Sequence, residues 1–292
     1  MDLTKYYPDI AAKYPAYVTQ RELCEICRIC PKTAYNLEQQ GEIPYTIEQN
    51  HLIRSHKIKL TDILAYNYAK RESVKEGFVP VLIKADDEIL WECLIMNSDP
   101  DSDGEDDFAF DPDKVAEYRK KMLSAPVENS KAVLEEMIGQ RKEEAEDDDM
   151  DWDEEILGEM EGGYDNRRFS SYWNSDNNMT YPLILAKIPV KNPWEIFAYL
   201  PFGGWNECPN TPELMAVAKY WFEQHGAVPA AMSHDELEFL LPAPVSEEKA
   251  MDAAVELYGF CPDVIDQGPE DATVGALADV LRQSTVWYFW WD

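Results

Sequence analysis

The chain has 292 residues, an apolar content of 45%, and 57 Asp+Glu against 26 Lys+Arg, a formal net charge of −31. That length and apolar content suffice for two domains with a sizeable core. No apolar run approaches the roughly 18 residues of a membrane helix, and so strong a negative balance argues against a phosphate-binding surface over most of the chain.

The charge is unevenly spread. Residues 1–75 carry 11 Lys+Arg and 9 Asp+Glu, a net of +2, which leaves −33 on residues 76–292. The opening Met1-Asp-Leu-Thr-Lys-Tyr-Tyr-Pro8 has no apolar signal core. A cytoplasmic protein without disulfides is expected. An acidic body attracts basic partners within a Debye length of roughly 8 Å at physiological salt. A module of net +2 gains little from counterion release, so its own grip on DNA is expected to be weak.

After a lead-in over residues 1–16, Thr19 can cap a helix whose apolar positions are Leu23, Cys24, Ile26 and Cys27. Arg28-Ile29-Cys30 reads as a turn. Pro31 suits the first position of a second helix, which turns Ala34 and Leu37 inward and stops at Gly41. Two short helices about a tight turn predict a helix-turn-helix. Cys24, Cys27 and Cys30 have Cys-x-x-Cys spacing, but no fourth ligand follows, and two of them fall on core positions. They read as small apolar residues, and no metal or cofactor is expected.

Thr33-x-Tyr35-x-Leu37, then Gly41-Glu-Ile-Pro44, then Asp62-Ile-Leu-Ala-Tyr66 on a closing helix over Leu60 to Lys75, give this stretch its pattern. It resembles the winged helix-turn-helix of the excisionase and MerR-like families. The resemblance implies that Lys32, Thr33, Tyr35 and Asn36 face the DNA groove. It places Gln49, Asn50, His51 and Arg54 on a wing spanning Ile47 to Arg54. Arg28 stands where the family carries Gly, and Glu48 replaces the basic residues usual at the wing tip.

Next, Phe78–Ile83 and Ile89–Ile95 read as two strands joined by Ala85-Asp86-Asp87, a hairpin. Asp99-Pro-Asp101-Ser-Asp103-Gly104 opens like a calcium loop, but Phe110 stands where the bidentate Glu belongs, so it reads as a solvated acidic loop. Asp113–Leu123 and Val127–Lys142 read as polar helices. Glu143 to Glu161 holds twelve acidic residues and no basic one. With the Ser/Asn-rich stretch after it, this reads as a mobile spacer, or else as a negative surface that mimics DNA. Trp152, Ile156 and Leu157 suggest a short docking segment within it.

Residues 180–292 predict a second folded domain. Strands are expected at Tyr181–Val190, Ala227–Met232 and Leu237–Leu241, with a helix or strand over Trp194–Leu200. Thr211-Pro-Glu213 starts a helix that Gly226 ends, Ser246 caps another running to Tyr258, and a third spans Val274–Arg282. Val286–Trp291 is almost wholly apolar and predicts a central strand covered on both faces. Gly204-Trp205-Asn206, Trp221-Phe222 with Gly226, Phe260-Cys-Pro-Asp263 and the closing Trp287-x-Phe-Trp-Trp-Asp292 resemble a bacterial domain of unknown function, family 4253. That resemblance implies no activity.

The expected fold class is therefore α+β multidomain. It comprises a winged helix-turn-helix over 1–76, a hairpin, acidic loop and helix over 77–125, an acidic linker over 126–179, and an α/β sandwich over 180–292. Trp205 and Asn206 are candidates for a ligand site, as aromatic platform and polar anchor. Cys261 with His225 or His234 contains the residue types of a Cys/His hydrolase without a recognised spacing, so no catalytic residue is assigned. The function expected is that of a non-enzymatic DNA-binding adaptor or regulator, of the kind mobile elements carry, with a protein- or ligand-binding C-terminal domain. The alternative is an acidic inhibitor, an immunity or anti-defence factor, that blocks a basic nucleic-acid-binding partner. Partners are thus DNA or a basic protein and not a membrane, and pairing as a homodimer stays open.

Overall fold

The computed structural model describes residues 8–27, 31–39, 43, 45–50, 53–59, 77–102, 110–171, 173–174, 179–268 and 272–292. The chain divides into two compact units, residues 1–78 and 79–292.

In the first unit, helices α1 (Pro8–Lys13), α2 (Gln20–Cys27) and α3 (Pro31–Gln39) accompany strands β1 (Tyr17–Val18), β2 (Tyr45–Asn50) and β3 (Ile53–Lys59). A reciprocal cap fixes the start of α2. The Thr19 hydroxyl accepts the Glu22 N–H at 3.3 Å, and Glu22 Oε2 accepts the Thr19 N–H at 2.7 Å. Leu23, Ile26 and Cys27 then recur on one helix face and bury with Val18, Ala34, Leu37 and Ile43 in a small core. Gln20 Nε2 donates to Glu38 Oε2 at 2.7 Å and ties α2 to α3. β2 and β3 pair antiparallel from Tyr45↔Ile58 to Asn50↔Ile53, and β1 adds to the far side of β3. The inter-helix turn, Cys30, His51 and the closing helix expected over Leu60 to Lys75 lie outside the described residues.

The second unit is α+β. Its strands are β4 (Val79–Lys84), a small pair β5 (Trp173–Asn174) and β6 (Met179–Thr180), then β7 (Leu183–Ile188), β8 (Val228–Met232), β9 (Glu236–Leu240) and β10 (Val286–Trp290). Five of them form a mixed sheet in the order β10-β9-β8-β4-β7, in which only β4 and β8 run parallel. Its helices are α4 (Glu88–Ser98), α5 (Pro112–Ser124), α6 (Ser130–Asp147), α7 (Thr211–His225), α8 (Glu247–Phe260), α9 (Asp263–Asp266) and α10 (Val274–Leu281). A π-helical turn covers Trp152–Leu157, and a 3-10 turn covers Pro193–Ala198. The Asn210 side chain and Glu213 form the capping box of α7, so the cap lies one residue before Thr211. Gly226 closes that helix at φ +70°, a conformation costly for any side chain.

The core centres on Trp221 of α7. Its indole stacks on Phe289 at 5.4 Å and meets Phe239, Phe260 and Trp287 edge-on at 4.9–5.5 Å. These rings come from α8, β9 and β10, so one face of the sheet is sealed by helices. The Glu256 carboxylate accepts the Trp221 indole N–H at 3.1 Å and the Tyr220 hydroxyl at 2.9 Å, which satisfies both polar groups beside the core.

Three expectations are corrected. Ile89–Ile95 is not the second strand of a hairpin but the body of α4. Asp87 caps it by accepting the Leu90 N–H at 3.2 Å, and Leu90, Leu94 and Ser98 bury at helical spacing. β10 is an edge strand, not a central one. The N–H groups of Thr285 and Val286 both donate to the Asn166 carbonyl, at 3.0 and 3.2 Å, and Asn166 Nδ2 donates to the Val286 carbonyl at 3.3 Å. A loop therefore covers the edge, and the apolar run reports burial rather than position in the sheet.

The acidic stretch 143–161 is not a free spacer. α6 continues to Asp147 and packs against α7 and α8, with Leu134, Arg141 and Ala145 buried. Ile156 is buried, and Trp152 and Leu157 pack on the same core. A side chain on Gly275 would meet the Glu159 carbonyl oxygen at 2.3 Å, and one on Gly163 would meet the Val280 nitrogen at 2.4 Å. The acidic backbone thus lies directly on α10. Further along the same segment, Glu238 of β9, fully buried, accepts from the backbone N–H groups and hydroxyls of Ser170 and Ser171 at 2.6–3.3 Å.

In the acidic loop that opens at Asp99, the Asp99 carboxylate accepts the Asp111 N–H at 2.9 Å and pairs with Lys114 at 3.3 Å. That ties it to the start of α5, while residues 103–109 lie outside the described residues.

Candidate functional site

A cleft of ≈ 300 Å³ opens where four distant pieces of the second unit meet: the start of α4, the loop after the 3-10 turn, the β8–β9 turn and the end of β10. At α4, the buried Asp87 carboxylate caps the helix with Oδ1. With Oδ2 it accepts the His234 backbone N–H at 2.9 Å and lies 3.0 Å from His234 Nδ1. One carboxylate thus fixes the helix, the turn and the imidazole.

In the turn, Asp235 Oδ1 accepts the Ser233 hydroxyl at 2.9 Å, and Oδ2 accepts the Trp290 indole N–H at 2.9 Å. His234 Nε2 stands 3.5 Å from the same carboxylate. The Asp235 carbonyl accepts the Trp291 N–H at 3.1 Å, so backbone bonding between turn and strand continues past β10.

The loop bearing Trp205 turns through Gly203 and Gly204, at φ +79° and +80°. At Gly203 an added Cβ would lie 2.2 Å from the Pro209 carbonyl oxygen, so only glycine fits. Asn97 of α4 donates to the Pro201 and Gly203 carbonyls at 2.7 and 2.8 Å and anchors the loop. Trp205 lines the cleft, while Asn206 is exposed and donates to the Asp292 carbonyl. Asn206 therefore holds the wall rather than facing the cavity.

Cys261 donates its thiol proton to the Trp290 carbonyl at 3.0 Å, and Asp263 accepts the Asp292 N–H at 2.9 Å. The Gly-Trp-Asn loop, the Phe-Cys-Pro-Asp turn and the Trp-Trp-Asp end, separate in sequence, all converge here. The fourth motif, at Trp221 and Gly226, serves the core.

The thiols are not set up for nucleophilic chemistry. Cys208 and Cys261 are buried, and burial pushes both thiols above their ordinary range. Cys93, half-buried at the cleft, is likewise raised by burial, and its sulfur lies beside Gly203 and Asn97 rather than an imidazole. His225 sits edge-on to Trp287 at 5.4 Å, and burial lowers its pKa. Sequence reasoning missed Asp87, read as part of a hairpin turn, although an Asp followed by Glu88 and an apolar run is also a helix-start signal. Nothing local foretold its bond to His234, 147 residues away.

In the first unit, Lys32 and Tyr35 are exposed on α3, which also carries Thr33 and Asn36. Gln49 and Asn50 lie in β2, Gln49 pairs with Arg54 of β3, and His51 is outside the described residues. Among the described residues no helix is long and apolar enough to cross a membrane.

The second unit is thus a mixed α/β domain whose polar bonds converge on an aromatic, carboxylate-lined cleft. Residues 184–292 match the family described as Domain of unknown function (DUF4253). No curated protein and no solved structure matches the chain. The matched segment begins inside β7, yet β4, which precedes it by a hundred residues, sits between β7 and β8. The folding unit in this chain is therefore larger than the family segment.

Proposed function

We propose that this is a non-enzymatic, two-unit binding protein. The first unit is a winged helix-turn-helix of excisionase or MerR type that addresses DNA, and the second binds a basic protein partner. The observation that carries the reading is the cleft. Its Trp290 indole and Asp235 carboxylate are held by hydrogen bonds, while every described thiol placed near it is buried or raised in pKa, an arrangement suited to recognition rather than turnover. For the first unit, support comes from the order of α2, α3 and the β2–β3 hairpin, with Lys32 and Tyr35 exposed on the second helix. A regulator of a mobile element is the role such a pairing suits.

A second reading is favoured by the −33 carried on residues 76–292: an acidic inhibitor that occupies a partner's basic nucleic-acid surface. Titrating the full chain onto mixed duplex DNA at several salt concentrations separates the two. Salt-sensitive binding that falls in Lys32→Ala and Arg54→Ala supports the DNA-addressing reading. An absence of binding at all salts sinks it and makes the acidic inhibitor the lead.

A further inference from the structure

The geometry points to the cleft beside Trp205 and Trp290 as the seat of an arginine side chain of a protein partner. This rests on the reading that the second unit binds a basic protein.

The sign of the cleft selects a cation. Asp235 and Asp292 stand on its wall and Asp87 lies behind His234, the one titratable base among its lining residues. A phosphate-bearing ligand would meet carboxylates on entry. The walls select a flat cation in particular. Trp205, Trp290 and Trp291 line the cavity together with Ile89, which is 60% exposed at the rim. A guanidinium is planar, weakly hydrated and stacks on indole while bonding a carboxylate, which a compact ammonium does less well. Asp235 is already fixed by Ser233 and Trp290, so the acceptor is preorganised.

Size narrows the ligand further. At ≈ 300 Å³ the cleft stands at the small end of ligand sites, the scale of one long side chain rather than of a nucleotide cofactor.

The test uses the full chain at physiological salt and follows its indole N–H signals by NMR. The probes are acetyl-Ala-Arg-Ala-amide, its lysine counterpart and its neutral citrulline counterpart, with polyarginine reporting on the acidic body as a whole. The arginine peptide is expected to move the signals of Trp205, Trp290 and Trp291. The citrulline peptide should bind at least tenfold more weakly, and Asp235→Asn should lose at least tenfold in affinity. Because Asp235 also holds its turn, Trp205→Leu, in a surface loop, provides a second variant expected to weaken binding with the fold intact by circular dichroism. Equal affinity for arginine and citrulline overturns the assignment. So does polyarginine binding with the three indole signals unmoved by the tripeptide, an outcome that leaves the basic-partner reading standing. If polyarginine does not bind at all, that reading falls and takes the cleft with it.

Discussion

Gly275→Ala measures whether the acidic stretch belongs to the fold. Gly275 lies in the first turn of α10, where replacing glycine by alanine would stabilise a free helix by up to about 1 kcal/mol. In the structure, however, the new methyl would stand 2.3 Å from the Glu159 carbonyl oxygen, 2.5 Å from its carbon and 2.9 Å from the Leu157 carbonyl oxygen. All three are backbone atoms, so no side chain can swing aside. The segment must shift by about an ångström, and overpacking of this kind costs about 1–3 kcal/mol. If it peels away instead, the burial of Ile156, worth roughly 2 kcal/mol, goes with it. The net expectation is destabilisation of about 1–2 kcal/mol, opposite in sign to the propensity effect. Urea denaturation of the two full-length proteins reads the difference in midpoint, and limited proteolysis by a glutamate-specific protease should cut faster near Glu159 in the variant. A variant as stable as the parent, or more stable, and cut no faster, would refute the docking of residues 152–163 on α10.

Other outcomes follow from the buried polar groups. Burial pushes the Glu238 carboxyl up to about 7 from an ordinary 4.5. The folded state therefore holds that proton more tightly. The resulting stability is fully present below about pH 4.5 and is lost as pH rises through 7, a change on the order of 3 kcal/mol. Urea midpoints measured across that window should show this fall in the parent and lack that component in Glu238→Gln; identical pH profiles would contradict it. Trp221→Ala should cost about 3–5 kcal/mol by emptying the centre of the aromatic core. Trp221→Phe should cost about 1–3 kcal/mol, because the Glu256 carboxylate loses its indole donor; a neutral Trp221→Phe would mean that bond carries no weight. Under native conditions at pH 8, Cys208 and Cys261 should resist iodoacetamide while the denatured chain reacts fully, as read by mass spectrometry. Rapid native labelling of Cys261 would reopen the thiol-enzyme reading.

Local chemistry in the sequence was enough to place many elements. The Thr19–Glu22 cap, the Pro and acid at the start of α7 and the glycine at its end are short-range signals, each satisfied within a few residues of chain, and α8 begins directly after Ser246, whose hydroxyl makes no capping bond. The apolar run Val286–Trp291 rightly predicted a strand, though it lies at the sheet edge, buried at Trp287 and Phe289 and only partly covered at Tyr288 and Trp290. Tertiary contacts alone decided the rest. Ile89–Ile95 is rich in strand-forming residues, and only the Asp87 cap and the burial of Leu90 and Leu94 turn it into a helix. Composition made residues 143–161 look like solvated spacer, because composition cannot see that Ile156 and two glycine contacts seat the backbone on α10. The cleft was the least legible feature. Asp87, Trp205, Asp235 and Trp290 belong to four separate elements, and the bonds that give each its orientation reach across the fold. Sequence determines what a short stretch of backbone can satisfy by itself. Which distant carboxylate meets which indole is settled only when the sheet, with β4 inserted between β7 and β8, brings them within hydrogen-bond reach.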